Sequence, residues 1–389
     1  MSESKYLKGV HYKTKKPIQI YMKNGIIQEI STIDVGPDEN LDIISPGLID
    51  LQINGFKGVD FNSNPLDISE WEKITKELAA QGITSFYPTI VTNTFKKLAD
   101  IFRINSQYLK KGFRLSNLIE GFHLEGPYIS KKDGPRGAHD ANYVRPPDID
   151  ELEKLQDYSH NLIKIVTLSP EWRGADSFIK ESAKMGTKIA LGHLNASRLE
   201  IKKAVNNGAL FSTHLGNGTH TELPRHENYL WSQLAEDNLN ASVIADGHHI
   251  PFDLLKIFNR VKKSKMFLVS DSVALAGKSP GIYETFIGGK VTLTEEKKLH
   301  LYQNEKILAG SAKSLVECVE HLANSQICEL TESLDKASIL PAKVMDLPQK
   351  QGLNEGAPAD LIKLKYINKH IEVTQTIKEG RVIYSSSCM

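Results

Sequence analysis

The stretch Glu120–Gly126 has the sequence Glu-Gly-Phe-His-Leu-Glu-Gly and is followed by Pro127. The apolar pair Leu118-Ile119 leads into it, and the carboxylate of Glu125 follows where the apolar run stops. Glycine and proline at that point are typical of a strand that ends and turns. A carboxylate there is costly to bury unless a cation or a hydrogen-bond donor meets it. The stretch therefore predicts a buried strand whose carboxyl end belongs to a site.

Composition bounds the possible classes of protein. The chain has 389 residues, of which 40% are hydrophobic and 24% charged, as is usual for a globular protein with a large core. Its 48 basic and 47 acidic residues give a formal net charge of +1, which argues against nucleic acid or an anionic membrane as a partner. No stretch approaches the ~18 consecutive apolar residues of a membrane-spanning helix.

Cysteine usage indicates the redox environment. The chain has Cys318, Cys328 and Cys388, an odd number without the paired spacing of a metal site. This pattern favours reduced thiols in a cytoplasmic protein. The N-terminal residues are polar and rich in lysine, so we expect no signal peptide there.

The middle of the chain alternates between two kinds of segment. Eight apolar, strand-like runs are separated by stretches with helical spacing, which predicts an α/β fold of the (β/α)8 or TIM-barrel type over residues 46–345. The eight runs are Leu48–Ile53, Ser85–Ile90, Leu118–Leu124, Ile163–Leu168, Lys188–Leu191, Leu210–Thr213, Ala241–Ala245 and Met266–Val269.

Both ends of the chain are rich in strand signals. Asn24-Gly25 is a hairpin turn between two short strand-like runs, and Lys378–Arg381 predicts another turn near the C-terminus. We expect residues 1–45 and 346–389 to form one small β-sandwich domain beside the barrel. Glycines and alternating apolar residues predict a β-hairpin insertion near residues 277–310.

Polar residues follow the predicted strands at their carboxyl ends, where barrels place active sites. These ends carry Gln52, Asn54, His123, Glu125, His193, His214, Asp246, His248, His249 and Asp271. A single histidine near a strand end is more often a hydrogen-bonded core residue than a ligand. When several strand ends carry such polar residues together, a functional site is favoured instead.

The chemistry of these side chains suits a divalent metal. One carboxylate and two imidazoles form a three-ligand set that leaves a fourth position for water, whose pKa the metal lowers to about 7. Asp271 is a candidate for the base that accepts the proton of this water. His249 is a candidate donor to a carbonyl oxygen that becomes negative. Together they predict hydrolysis of an amide-like bond.

Six motifs in order resemble the N-acetylglucosamine-6-phosphate deacetylases of the amidohydrolase superfamily, and the resemblance covers residues 18 to 384. The motifs are Pro46–Gly55, His123–Pro127, Gly192-His193, Thr213–Leu215, Ala245–Gly247 and Ser270-Asp271. The resemblance implies a metal-dependent barrel with a small β-sandwich from both termini, an N-acetylated amino-sugar substrate and a homodimer.

The resemblance also implies roles for single residues. Glu125, His193 and His214 match the family's metal ligands. Asp271 matches its catalytic aspartate, and His249 matches the histidine that contacts the acetamido carbonyl. Further positions matching substrate contacts are Ala138, His139, Asn217, Gly218, Ala309 and Gly310.

Gln52 and Asn54 stand where many amidohydrolases carry two histidines for a second metal. Amides are poor transition-metal ligands beside imidazole, so we expect one divalent ion per subunit. Zinc is the first choice, with iron(II) or another divalent ion open. We assign the two amides to substrate binding, with a structural role in the turn as the alternative.

The loop after the sixth strand departs from the family pattern. The arginine that binds the sugar phosphate in the family aligns with His226, beside Arg225, and only arginine offers a fixed bidentate fork. Gly216 and Gly218 suggest a looser loop and a wider pocket. Deacetylation of an N-acetylhexosamine is therefore expected, most of all N-acetylglucosamine-6-phosphate. A sugar without phosphate, another N-acyl amide, and a non-catalytic sugar-binding scaffold remain alternatives.

Overall fold

The computed structural model describes residues 4–36, 39–285 and 289–386, so Cys388 lies outside the described residues. The expected barrel is confirmed by eight parallel strands in the order β14-β13-β12-β11-β10-β9-β8-β5. The strands of the described residues are β1 (Ser4–His11), β2 (Pro17–Lys23), β3 (Ile26–Thr32), β4 (Ile43–Pro46), β5 (Leu48–Ile53), β6 (Gly55–Phe56), β7 (Val59–Asp60), β8 (Ile83–Val91), β9 (Phe122–Glu125), β10 (Ile163–Leu168), β11 (Lys188–Leu191), β12 (Ala209–Ser212), β13 (Asn240–Val243), β14 (Met266–Leu268), β15 (Gly281–Thr285), β16 (Gly289–Leu293), β17 (Leu299–Leu301), β18 (Asn304–Leu308), β19 (Leu361–Ile367), β20 (His370–Lys378) and β21 (Arg381–Ser385).

Helices follow the barrel strands and cover their outer face. Apolar residues at helical spacing are buried in the longer helices, for example Trp71, Ile74 and Leu78 in the first. The helices are α1 (Ile68–Ala79), α2 (Phe95–Lys111), α3 (Ile149–Tyr158), α4 (Ala175–Lys184), α5 (Arg198–Asn206), α6 (Tyr229–Ala235), α7 (Phe252–Lys262), α8 (Leu315–Asn324), α9 (Leu330–Lys336) and α10 (Ile339–Met345). No helix in the described ranges combines the length and the apolar character needed to cross a membrane.

The third barrel strand is shorter than its apolar run. The prediction of a strand over Leu118–Leu124 is wrong at its start, because Ser116–Leu118 form a 3-10 turn and β9 begins at Phe122. The Phe122 amide donates to the Leu162 carbonyl at 2.6 Å, which is where pairing with β10 begins. Leu118 is buried without being part of a ladder, so its apolar character marks the core and not the strand.

The barrel closes between β5 and β14 through individual hydrogen bonds. The Asp271 amide donates to the Gln52 carbonyl at 2.9 Å, and the Asn54 amide donates to the Ser272 carbonyl at 2.8 Å. Beneath them, the buried carboxylate of Asp50 accepts from the Ser270 amide at 3.2 Å. The closing seam therefore positions the ends of the first and last barrel strands directly at the expected site.

Strands from both ends of the chain share a second sheet, in the order β21-β20-β19-β4-β1-β2-β3. The two predicted hairpins are present, since β2 pairs with β3 and β20 pairs with β21, both antiparallel. The Ile27 amide on the edge strand β3 donates to the Ala357 carbonyl at 2.9 Å, so this edge contacts the segment that leads into β19. The residue boundaries of a separate domain stay a prediction.

The stretch after the last barrel strand forms a small antiparallel sheet of β15, β16, β17 and β18. Its inner face packs around Val291, Leu293 and Leu299 against Leu275 of the connecting loop. The alternation of apolar residues in the sequence therefore corresponds to one buried face of this sheet, which lies beside the barrel mouth.

His123 is a core histidine with a hydrogen bond at each ring nitrogen. Its Nδ1 lies 3.0 Å from the Leu51 carbonyl oxygen, and its Nε2 lies 2.7 Å from the Thr167 hydroxyl. A carbonyl oxygen only accepts, so Nδ1 carries the proton and Nε2 accepts from Thr167. Thr167 in turn accepts from the Thr213 hydroxyl at 2.7 Å. This directed chain of bonds ties four barrel strands together.

We predict that His123 makes the fold sensitive to acid. Burial lowers its pKa to about 4, against about 6.5 for an ordinary histidine. Protonation therefore favours the unfolded chain, and this contribution is present above about pH 6.5 and is lost as the pH falls toward 4. His123→Gln keeps a donor and an acceptor without titrating. Between pH 7 and 4.5 the wild type should lose more unfolding free energy than this variant does. The difference between the two losses should be about 2–3 kcal/mol.

Urea unfolding at both pH values measures the difference. His160→Gln, at an exposed position, serves as the control. The same pH dependence in the wild type and in His123→Gln would contradict the assignment.

Candidate active site

Three buried side chains converge at the carboxyl ends of the barrel strands. Nε2 of His193 and Nε2 of His214 lie 3.3 and 3.0 Å from Oε1 of Glu125, and 3.1 Å from each other. Burial raises the pKa of Glu125, but its contacts with the two histidines hold that pKa well below the ordinary value. An ionised carboxylate and two imidazole nitrogens form a typical ligand set for a transition metal.

The ring of His193 is oriented from its far side. Its Nδ1 lies 2.8 Å from the Pro135 carbonyl oxygen, so Nδ1 donates a proton there. In the neutral ring Nε2 then presents a lone pair to Oε1 of Glu125 and to Nε2 of His214. One carboxylate oxygen and two imidazole nitrogens that converge in this way are the donor set that suits a divalent cation. The residues present therefore fit a divalent metal.

The backbone at three strand ends is strained. His193, His214 and Asp271 have φ values of 50°, 30° and 47°, in the left-handed region that residues with a Cβ rarely adopt. Such strain persists only where the surrounding structure fixes it, and it is frequent at active sites. The strained turns direct the three side chains into the barrel mouth instead of along the strands.

Gln52 and Asn54 lie on the same side of the first barrel strand, two residues apart. The Gln52 amide donates to Oε1 of Glu125 at 2.8 Å, and the Asn54 amide donates to Oδ1 of Asp271 at 2.7 Å. Both amides therefore hold carboxylates in place. This favours a structural role for Gln52 and Asn54 over direct contact with a substrate.

Asp271 is half-buried just after the last barrel strand. Burial, and next the charge of Glu125, raise its pKa to about 6. A carboxylate with a pKa near the working pH is suited to accept and return a proton. The geometry therefore agrees with the role expected for Asp271.

His139 lies against the cluster on a loop that the fold brings over the barrel mouth. Its ring packs edge-on against His193, with 4.5 Å between the centroids, and its Nδ1 lies 2.8 Å from the Thr92 hydroxyl. Burial lowers the pKa of His139 to about 3, so it is neutral at pH 7. Thr92, which follows the second barrel strand, is a contact that the sequence analysis missed.

The loop after the sixth strand is closely packed. A Cβ on Gly218 would lie 2.6 Å from Nδ1 of His193, and a Cβ on Gly216 would lie 2.9 Å from Cδ1 of Ile250. Both glycines have positive φ, 58° and 94°. The close packing argues against a looser loop, because each glycine gives its space to a neighbouring side chain, and the wider pocket stays a prediction.

The two histidines after the seventh strand point in different directions. His248 places its Nε2 2.9 Å from the Glu296 carbonyl oxygen beside the inserted sheet, whereas His249 turns its Nδ1 toward Asp246. Asp246 lies behind His249, with its Oδ2 2.7 Å from Nδ1 of that ring. We gave Asp246 no role from the sequence, although its position before a glycine at a strand end was a usable signal.

The remaining expected residues lie farther from the cluster. Asn217 is half-buried and its backbone amide donates to the His214 carbonyl at 2.9 Å. Ala309 and Gly310 follow the last strand of the inserted sheet and are half-buried, while Ala138 is exposed beside His139. Arg225 and His226 are exposed on the loop after the sixth strand.

Comparison with known proteins agrees with this geometry. The model of the amidohydrolase family matches residues 43–383. The chain is similar to the N-acetylglucosamine-6-phosphate deacetylase of Danio rerio, with 31% identity over 88% of this chain and 84% of the relative. For the Caenorhabditis elegans enzyme of that name the identity is 29%, over 95% of this chain and 91% of the relative. The structure of the Thermotoga maritima deacetylase of that name superposes with a TM-score of 0.84 and 26% identity, over 98% of this chain and 100% of that one.

We predict that Gly218→Ala disturbs the cluster. The new methyl group displaces the ring of His193 from the Pro135 carbonyl, and metal affinity should fall about 10- to 100-fold, as when other outer contacts of a ligand are lost. Gly174→Ala is the matched control, because Gly174 also has positive φ but has no atom within 4 Å of a Cβ. Metal per chain after dialysis, measured by mass spectrometry, tests this. Full retention by Gly218→Ala would refute the packing argument.

Proposed function

The chain belongs to the amidohydrolase family and, within it, to the N-acetylglucosamine-6-phosphate deacetylases, and we propose that it hydrolyses the acetamide of N-acetylglucosamine-6-phosphate. The products are acetate and the amino-sugar phosphate. The observation that carries the proposal is the convergence of Glu125, His193 and His214 at the barrel mouth, with Asp271 and His249 beside them.

We assign Glu125, His193 and His214 as the ligands of one divalent ion per subunit, with zinc as the first choice and iron(II) as the next. When bound, the ion acts as a Lewis acid and makes water acidic enough to attack at neutral pH. A single ion is supported by Gln52 and Asn54, whose amides are engaged with carboxylates and supply no strong ligand.

Asp271 and His249 carry the proton and charge transfers. Asp271 accepts a proton from the attacking water and returns it to the sugar nitrogen as the acetyl group leaves. His249 donates a hydrogen bond from Nε2 to the acetyl oxygen as negative charge develops on it. Asn54 holds the carboxylate of Asp271 in place during both transfers, and Gln52 does the same for Glu125.

The sugar occupies the space between the loops around the barrel mouth. We assign Ala138, His139, Asn217, Gly218, Ala309 and Gly310 to its contacts. We propose that Arg225 and His226 bind the 6-phosphate. Because both are exposed in the single chain, their place suits a homodimer in which they complete the partner's site. Gln52 and Asn54 act on the substrate indirectly, through the carboxylates.

We further propose a cytoplasmic location and a two-domain division. Cys318 and Cys328 are free thiols, which agrees with a reducing compartment. Residues 1–45 and 346–389 would form the small domain and residues 46–345 the catalytic barrel, and the shared terminal sheet supports this division.

Acetate release tests the substrate. We expect the purified, zinc-loaded protein to release acetate from N-acetylglucosamine-6-phosphate at least tenfold faster, in kcat/KM, than from N-acetylglucosamine, because exposed cations meet the phosphate. Arg225→Gln should reduce this preference, while Arg260→Gln on the outer helix α7 should not. Equal rates on both sugars would refute phosphate recognition, and no acetate from either would refute the deacetylase proposal.

Replacement of the base separates catalysis from binding. Asp271→Asn should lower kcat by about 10²- to 10⁴-fold, because an amide cannot accept the proton of the attacking water. Metal content should remain close to that of the wild type, since Asp271 is not in the ligand set. Asp176→Asn, at an exposed position in the first turn of α4, controls for the loss of a charge. Near-normal turnover of Asp271→Asn would remove this residue from the mechanism.

A further inference from the structure

The carboxylate of Asp246 is fully occupied by one short segment of chain. Its Oδ1 accepts from the backbone amides of His248 and His249, at 2.8 and 2.9 Å. Its Oδ2 lies 2.7 Å from Nδ1 of His249, and the Asp246 side chain is only 1% exposed. The segment therefore folds around a single buried negative charge.

The protonation of the ring follows from this arrangement. Burial raises the pKa of Asp246, but hydrogen bonding with His249 and the charge of that ring hold it well below the ordinary value, so the carboxylate is ionised. An ionised carboxylate only accepts, so Nδ1 of His249 must carry a proton. In the neutral ring Nε2 is then a bare acceptor. Nε2 donates a hydrogen bond only when the ring carries both protons.

The donor role therefore requires a cationic ring. Resting on the proposed function, we propose that Asp246 is a positioning residue that keeps His249 doubly protonated, so that its Nε2–H points at the acetyl oxygen of the substrate. The deacetylase then uses the imidazolium, not neutral imidazole, to stabilise the developing negative charge. A cation donates a stronger hydrogen bond to an oxyanion than a neutral ring does.

Two of the four titratable groups near the ring in the described part of the chain are carboxylates, which favour its positive charge. Asp246 contacts it directly, and Asp271 acts on it from the end of the neighbouring strand β14. His248 turns its Nε2 to the Glu296 carbonyl oxygen, and His321 of α8 lies behind Gly247. The closest negative charge belongs to Asp246, so its removal should weaken the cation most.

The test follows the alkaline limb of the pH profile of kcat/KM in the zinc-loaded enzyme. Loss of the imidazolium proton should reduce activity as the pH rises. Asp246→Asn should move this limb to lower pH by about one unit or more, since an opposite charge in contact shifts a pKa by that amount. Asp246→Glu keeps the charge and should leave the limb near its wild-type position. A merely structural role would lower activity at every pH without moving the limb.

A second measurement keeps the inference separate from the proposed function. The Cε1 proton of His249 is titrated by NMR in the zinc-loaded protein, with His249→Gln to assign the signal. Asp246→Asn should lower the titration midpoint by about one unit or more. If the wild type releases no acetate, the deacetylase proposal fails. The titration midpoint still tests the contact between Asp246 and His249 in that case. An unchanged midpoint and an unmoved alkaline limb would each overturn the inference.

Discussion

The site depends on the cost of keeping ionised carboxylates inside a buried barrel mouth. Glu125 ends the third barrel strand and is only 3% exposed, whereas Asp271 follows the eighth strand and is half-buried, and an ionised carboxylate in either place needs a partner. The amides of Gln52 and Asn54 each meet one carboxylate, and the two histidines of the cluster converge on Glu125. The contacts at the barrel seam, the protonated nitrogens of the histidines and the proposed metal all serve to stabilise these carboxylates.

Strained backbone at the strand ends brings the partners of the carboxylates into the barrel mouth. The regular alternation of side chains stops where a strand ends, and a sharp turn of the chain there directs the next side chain into the barrel mouth. His193, His214 and Asp271 make that turn in the left-handed region, where a Cβ is unfavourable. The surrounding contacts, such as the Pro135 carbonyl at 2.8 Å from His193, hold the geometry in place.

Neighbouring groups assign different tasks to chemically identical rings. His123 is neutral because burial lowers its pKa, and a carbonyl and a hydroxyl engage its two nitrogens. His193 has one nitrogen fixed by a carbonyl and the other free for a metal, whereas His249 faces a carboxylate. The roles proposed for the three rings, namely core residue, metal ligand and cationic donor, therefore differ in what lies behind each ring.

The sequence by itself determined the barrel, its terminal hairpins and the convergence of Glu125, His193 and His214 at the strand ends, because strand periodicity and turn chemistry are local properties of the chain. It could not determine where β9 begins, since Leu118 is equally apolar in a 3-10 turn and in a strand. It also could not show the close packing at Gly218 or the contact of Asp246 with His249. Only the tertiary structure decided these features, because each depends on which atoms from distant strands and loops occupy the space around a side chain.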